Sequence, residues 1–261
     1  MIIAGAEFVK KLKKLDGQLF IVEGEKFVKE IPSSWEVKYY VITEEFASGR
    51  QFDHGRHDHR VGSFDLRELE TRAKVYITRK QLFSKISQTE NPQGILAVCG
   101  KREFALDFAQ AQGLWLLCED IQDPGNLGTL IRAAGAAGAG GVILCGACCD
   151  VYNPKVVRAS AGGVFRVPVI KAPPDDIVTA LRDNHINIIA AVVRDGSLPY
   201  TLDMRGSCCV MIGNEAQGLS SALTEAANFR ARLPMVAAES LNAAVAGAVL
   251  LYEAVRQRIS I

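Results

Sequence analysis

The sequence predicts an α/β protein made of two consecutive domains: a small α/β sandwich, then a larger domain built on a parallel sheet. Three observations carry this reading. Short apolar runs alternate with amphipathic stretches along the chain. The 261 residues suffice for one small and one medium core. From Gly113 onward the alternation becomes regular, with helical stretches between most of the strand-like segments.

Taken in order, AEFVKKLKKL has helical spacing, QLFIVEG and VKYYVIT read as strands, and EKFVKEI reads as a short helix. KVYIT and ILAVCG are further strands. Between Ala47 and Leu66 the chain is polar and rich in turn formers, which predicts a surface loop or insertion. Gly100 to Gly113, GKREFALDFAQAQG, reads as a linker, so the expected boundaries are 1–99, 100–113 and 114–261. Beyond it the expected strands are LWLLCED, GVILCG, FRVPVI, INIIAAVV, CCVMIG and FRARLPM, and SLNAAVAGAVLLYEAVRQR forms a long final helix. Apolar strands separated by helices imply a sheet covered on both faces. Ligands of such sheets bind outside the carboxyl ends of the strands.

Composition narrows the classes. With 49% apolar and 23% charged residues the chain is globular, and a net charge of +1 gives no overall field to attract a polyanion. Such a partner would need local clusters, and two are Lys10, Lys11, Lys13, Lys14 and Arg72, Lys74, Arg79, Lys80; the alternative is ordinary solvated faces. Seven cysteines at irregular positions suit buried thiols in a reducing compartment. MIIAGAEFVKK lacks the apolar core of a signal peptide, and the uncharged run Ala133 to Cys149 is broken by glycines, so the expectation is a cytoplasmic protein with no membrane segment.

Three strand ends carry the chemistry. After LWLLCED come Asp123, Pro124, Gly125 and Asn126, then a helix of small residues on which Arg132 is the sole charge between Asp123 and Asp150. A guanidinium there either reaches for an anion or snorkels to water. Asn126 is placed to cap that helix. At the second end, Gly213 and Gly218 bracket Asn214 and Glu215, and Ser220 is placed to cap the next helix. At the third, Pro234 closes a strand, Ser240 reads as an N-cap, and Asn242 sits where the first unpaired N–H groups point outward. No GxGxxG fingerprint occurs, so a dinucleotide site is not supported.

DPGNLGTLIRAAGAAG, IGNEAQGLS and LPMVAAESLNAAVAGAVLLYEAVRQR, in this order and spacing, resemble the three motifs of the SpoU/TrmH family of SPOUT RNA methyltransferases, over Leu114 to Arg258. FIVEG after a basic helix resembles the family's amino-terminal RNA-binding domain, built like small ribosomal proteins. The resemblance implies a carboxyl-terminal deep trefoil knot, S-adenosylmethionine as methyl donor, and 2′-O-methylation of a ribose in structured RNA. Large-subunit ribosomal RNA is the preferred substrate and transfer RNA the alternative. A non-catalytic RNA-binding or assembly factor is the alternative of another class. It further implies a homodimer formed through the carboxyl-terminal domain. Residue by residue, it assigns Asn126, Arg132, Glu215, Ser240 and Asn242 to catalysis. Gly213, Gly218, Leu233, Met235, Leu241 and Asn242 are assigned to the cofactor, and Arg132, Arg256, Lys10 and Lys14 to RNA.

Two other clusters are set aside. His54, His57 and His59 near Asp53 and Asp58 lie in a loop with nothing to fix a metal geometry, so no metal is expected. Cys145 and Cys148 form a CxxC that runs into DVYNP rather than a helix, unlike a thiol-redox site.

Overall fold

A computed structural model describes residues 2–15, 17–48, 66–108 and 113–259. The chain forms two compact units, Met1–Arg102 and Glu103–Ile261.

The first unit contains β1 (Ile2–Ile3), α1 (Ala6–Leu12), β2 (Leu19–Glu23), α2 (Glu25–Lys29), β3 (Val37–Thr43), α3 (Glu44–Ala47), α4 (Leu66–Arg72), β4 (Lys74–Thr78), α5 (Lys80–Phe83) and β5 (Ile95–Gly100). Its five strands lie in the order β1-β4-β3-β5-β2, with β5 antiparallel to both neighbours. Val9 and Leu12 of α1 pack with Ile21, Val41, Phe83, Leu96 and Val98, each worth about 1.5–3 kcal/mol when fully removed from water. At the end of β2 the buried Glu23 carboxylate accepts from Ser87 Oγ, Gln88 N and Thr89 Oγ1, so the FIVEG acid is an internal tie. Most of the expected surface loop, with all three of its histidines, lies outside the described residues.

The second unit contains β6 (Leu114–Glu119), α6 (Pro124–Ala136), β7 (Gly141–Cys145), α7 (Pro154–Ala159), α8 (Gly163–Arg166), β8 (Val169–Lys171), α9 (Pro174–Asp183), β9 (Asn187–Val192), β10 (Cys208–Ile212), α10 (Ser221–Ala226), β11 (Phe229–Arg232) and α11 (Ala243–Ile259). Its six strands are all parallel, in the order β11-β9-β10-β6-β7-β8. Every residue of β6, β7 and β10 is buried, as a sheet covered on both faces requires. From β6 the chain winds outward through β7 to β8, then crosses back to build β9, β10 and β11 on the other side. The reversal lies between β6 and β10, and the crevice beyond their carboxyl ends is where such sheets bind ligands. Gly128 brings α6 against α7, where a Cβ would stand 2.7 Å from Val156 O, and a Cβ at Gly247 of α11 would overlap Leu130 of α6.

Several expectations are corrected. FRVPVI is not one strand: Phe165 and Arg166 end α8, Val167 before Pro168 is forced extended, and β8 begins only at Val169. Asn126 does not cap α6, because Asp123 Oδ1 accepts from Asn126 N and Pro124 takes the first helical position. Ser240 does not cap α11: the helix starts at Ala243, and Asn242 Oδ1 accepts from Ala244 N and Val245 N. Ser220 does cap α10, through Leu223 N. Within the expected linker, Gly100 closes β5, and Phe104, Leu106 and Phe108 pack against the core of the second unit; residues 109–112 lie outside the described ones. Among the described residues no helix is long and apolar enough to cross a membrane.

Candidate active site

Three turns beyond the sheet meet at the β6/β10 crevice. The first follows β6. There Asp120 adopts φ 55°, its carbonyl accepts from Asn214 Nδ2 at 3.0 Å, and the buried Glu119 carboxylate accepts from Ser220 N at 2.7 Å. Both contacts brace the turn after β10. That turn folds back on itself: Gly218 N donates to Asn214 O, and Asn214 Oδ1 accepts from Ala216 N and Gln217 N. Glycine is required at both ends, because a Cβ on Gly213 would collide with the backbone of Gly218 and Leu219, while Gly218 has φ 72°.

Capping Asp123 leaves the Asn126 side chain free for a different task. Its Nδ2 donates to Glu215 Oε1 at 2.7 Å, and its Oδ1 accepts from Asn242 Nδ2 at 2.8 Å. Asn242 in turn is fixed by capping α11. The carboxylate, which only accepts when ionised, sets the orientation of the Asn126 amide, and that amide sets Asn242. One hydrogen-bonded chain thus joins Glu215, Asn126 and Asn242 across sequence separations of 89 and 116 residues.

Beside this chain lies a cleft of about 310 Å³, at the small end of the roughly 300–1,000 Å³ common for ligand pockets. Gly213, Gly218, Leu233, Met235, Ser240 and Leu241, all singled out from the sequence, line it together with Ala191–Arg194, Ala246 and Leu250. Asn126, Arg132 and Asn242 are not part of its lining. Main chain and small or apolar side chains form most of the wall, and Glu215 and Glu239 are its acids. Such a lining fits S-adenosylmethionine: apolar wall for the flat base, backbone polar groups for its edges, and carboxylates for the cationic end.

Arg132 lies six residues beyond Asn126 on α6, exposed, and makes no hydrogen bond or ion pair among the described residues. Arg256 is not brought to the site. It lies fourteen residues along α11 from Asn242, about 20 Å at 1.5 Å per residue, and bonds Glu253 through Nε and Nη2 at 2.8 Å each. Lys10 and Lys14 are exposed residues of the first unit. Glu119 and Asp120, which brace the turns, escape the sequence reading although the CED string contains them, and Asn214 is named there without a role. The nearby thiols are unreactive: burial pushes Cys145 up to about 12 and Cys148 up to about 11, opposite to what a thiolate nucleophile needs.

The family model of the SpoU rRNA methylases matches residues 113–252, which contain all three turns. The chain belongs to the SpoU rRNA methylase family. A second model, the MRM3-like substrate binding domain, matches residues 7–97 of this SpoU protein. It is 32% identical over 244 residues, covering 93% of this chain and 90% of the other, to the 23S rRNA (guanosine(2553)-2′-O)-methyltransferase RlmP of Bacillus subtilis. It is 39% identical to the 23S rRNA (uridine(2479)-2′-O)-methyltransferase of Streptomyces viridochromogenes, over 56% of this chain and 54% of that one. Among solved structures, AdoMet-bound rRNA methyltransferase from Sinorhizobium meliloti superposes with a TM-score of 0.80 at 28% identity, over 96% of this chain and 94% of that one. AviRb of Streptomyces viridochromogenes in complex with AdoMet gives 0.81 at 28% identity, over 98% and 99%.

Proposed function

We propose that this SpoU protein transfers the methyl group of S-adenosylmethionine to a ribose 2′-hydroxyl of large-subunit ribosomal RNA. The observation that carries the reading is the hydrogen-bonded chain Glu215–Asn126–Asn242 beside a glycine-walled cleft. S-adenosylmethionine, when bound, supplies a sulfonium methyl already activated for displacement. Gly213, Gly218, Leu233, Met235 and Leu241 hold it, chiefly by main chain and apolar contact, and Ser240 offers a hydroxyl at the same rim.

What remains for the protein is to align the ribose oxygen and ease loss of its proton. Arg132 has no partner of its own among the described residues, so its guanidinium is free to grip the ribose–phosphate and stabilise charge developing on the 2′-oxygen. It surrenders a proton too reluctantly to be the base. Glu215 holds Asn126, and Asn126 holds Asn242, which fixes the start of α11 and with it the rim at Ser240 and Leu241. Lys10 and Lys14 bind RNA backbone from the first unit, and Arg256, paired with Glu253 toward the far end of α11, is an RNA contact away from the reacting centre.

The protein works as a cytoplasmic homodimer with a knotted carboxyl-terminal segment. Exposed Leu241, Val245, Val249 and Tyr252, the last three at helical spacing on α11, support a self-association face. The test is transfer of labelled methyl from S-adenosylmethionine to protein-free 23S rRNA and to bulk tRNA, with ribose-methylation mapping in cells with and without the gene. Labelled rRNA and one lost site sustain the reading. Labelled tRNA alone moves the substrate, and cofactor-independent RNA binding without transfer replaces the enzyme by a binder.

A further inference from the structure

With a net charge of +1, an RNA partner has to be held by local clusters, and the folded chain makes one that the linear sequence hides. Parallel pairing sets Arg230 of β11 beside Ala190 and Arg232 beside Val192 of β9, and the turn that follows β9 carries Arg194. Ser197 N donates to Arg230 O and Arg232 N to Ser197 O, so that turn is stitched to the edge strand. Arg230 and Arg232 share one face of β11 at a Cα spacing of about 6.6 Å, while Ala231 between them is buried on the other. The result is a groove of about 780 Å³ lined by Arg194, Arg230 and Arg232, with the start of β11 at Phe229 on its edge.

Three guanidiniums face a single lining acid, Asp195, and none of the three makes an ion pair or side-chain hydrogen bond among the described residues. A guanidinium presents a planar fork of donors that matches phosphate bidentately, so three of them open along one groove suit a run of phosphates. The groove shares Val193 and Arg194 with the cofactor cleft, so the two adjoin and an occupant of one lies next to the other. We propose that this groove is a track for the phosphodiester backbone of the substrate RNA next to the target ribose. The arginines hold successive phosphates of the strand. The inference rests on the function proposed above and adds to it the surface that receives the strand.

The test compares wild type with R230Q and R230Q/R232Q, which leave the cofactor cleft untouched. Binding of a protein-free 23S rRNA transcript is titrated at several salt concentrations, with calorimetric titration of S-adenosylmethionine and a thermal melt as controls. The double variant is expected to bind the transcript at least about tenfold more weakly. Its salt dependence should lose about one unit of log–log slope per arginine, with cofactor affinity and melting unchanged. A double variant with wild-type RNA affinity and slope, from a wild type that methylates RNA, overturns the track alone. A wild type that binds S-adenosylmethionine but methylates no RNA overturns the function itself.

Discussion

Replacing Gly213 by alanine probes the idea that the turn after β10 is rigid and shaped to receive the cofactor. The added Cβ would collide with the backbone of Gly218 and Leu219, neither of which is the yielding tip of a side chain. Overpacking of this kind costs about 1–3 kcal/mol. Alanine also stiffens the unfolded chain, which returns about 0.4–1 kcal/mol to measured stability but nothing to binding. If the turn swings outward to relieve the clash, the cofactor must push it back, so the full cost reappears as an affinity loss of about fivefold to 150-fold. Calorimetric titration of S-adenosylmethionine measures that loss, and denaturant unfolding measures the smaller stability change. Gly218→Ala is the matched control. Its Cβ would meet nothing within 4 Å, but φ is +72°, so it should cost about 1–2 kcal/mol through backbone strain alone. A Gly213→Ala protein with wild-type cofactor affinity and stability would refute the argument, since the turn would then have room to spare.

Four further outcomes are expected. Arg132→Ala should fold and bind S-adenosylmethionine normally yet lose about 10²–10³-fold in turnover; full activity would remove Arg132 from the mechanism. Asn126→Asp sets two carboxylates about where Nδ2 and Oε1 now meet at 2.7 Å, so one must hold a proton or swing away. Its melting temperature relative to wild type should therefore improve as pH falls from 8 toward 5, and a flat difference would show that the contact is not formed. Val249→Asp places a charge in the exposed apolar row of α11 and should convert the proposed dimer to a monomer by light scattering, with the fold kept; a wild type that is itself monomeric removes the dimer. For Cys145 and Cys148, burial raises the folded pKa above the ordinary thiol value of 9.0, so their contribution to stability is complete below pH 9 and is lost as pH climbs from about 9 toward 12. Alkylation at pH 8 should be far slower than for an unfolded control and should accelerate together with alkaline unfolding.

Most of the sheet was legible because period and length say enough about buried parallel strands. LWLLCED, GVILCG, INIIAAVV and CCVMIG all became strands within a residue or two of the expected ends. Helix starts were less legible. Asp123 and Asn126 are both good caps, as are Ser240 and Asn242, and only the folded backbone decides which oxygen faces the free N–H groups. Those choices matter to the site: losing the cap role is what frees Asn126 to bond Glu215. The convergence of the three turns came from resemblance to a family, since periodicity says nothing about which strand ends adjoin. The arginine groove was invisible because Arg194 and Arg232 stand 38 positions apart and become neighbours only through the β9–β11 register.

The hydrogen bonds that join Asn126 to Glu215 and to Asn242 close loops of 89 and 116 residues. Long closures carry the largest entropic cost and form late. During synthesis, therefore, the helix bearing Arg132 and Asn126 leaves the ribosome well before Glu215 and Asn242, and a chain stopped short of Asn242 carries the whole sheet with the hydrogen-bonded chain incomplete. On the function proposed above, a nascent fragment that lacks Asn242 cannot modify the RNA around it, and competence waits for the last amide to dock.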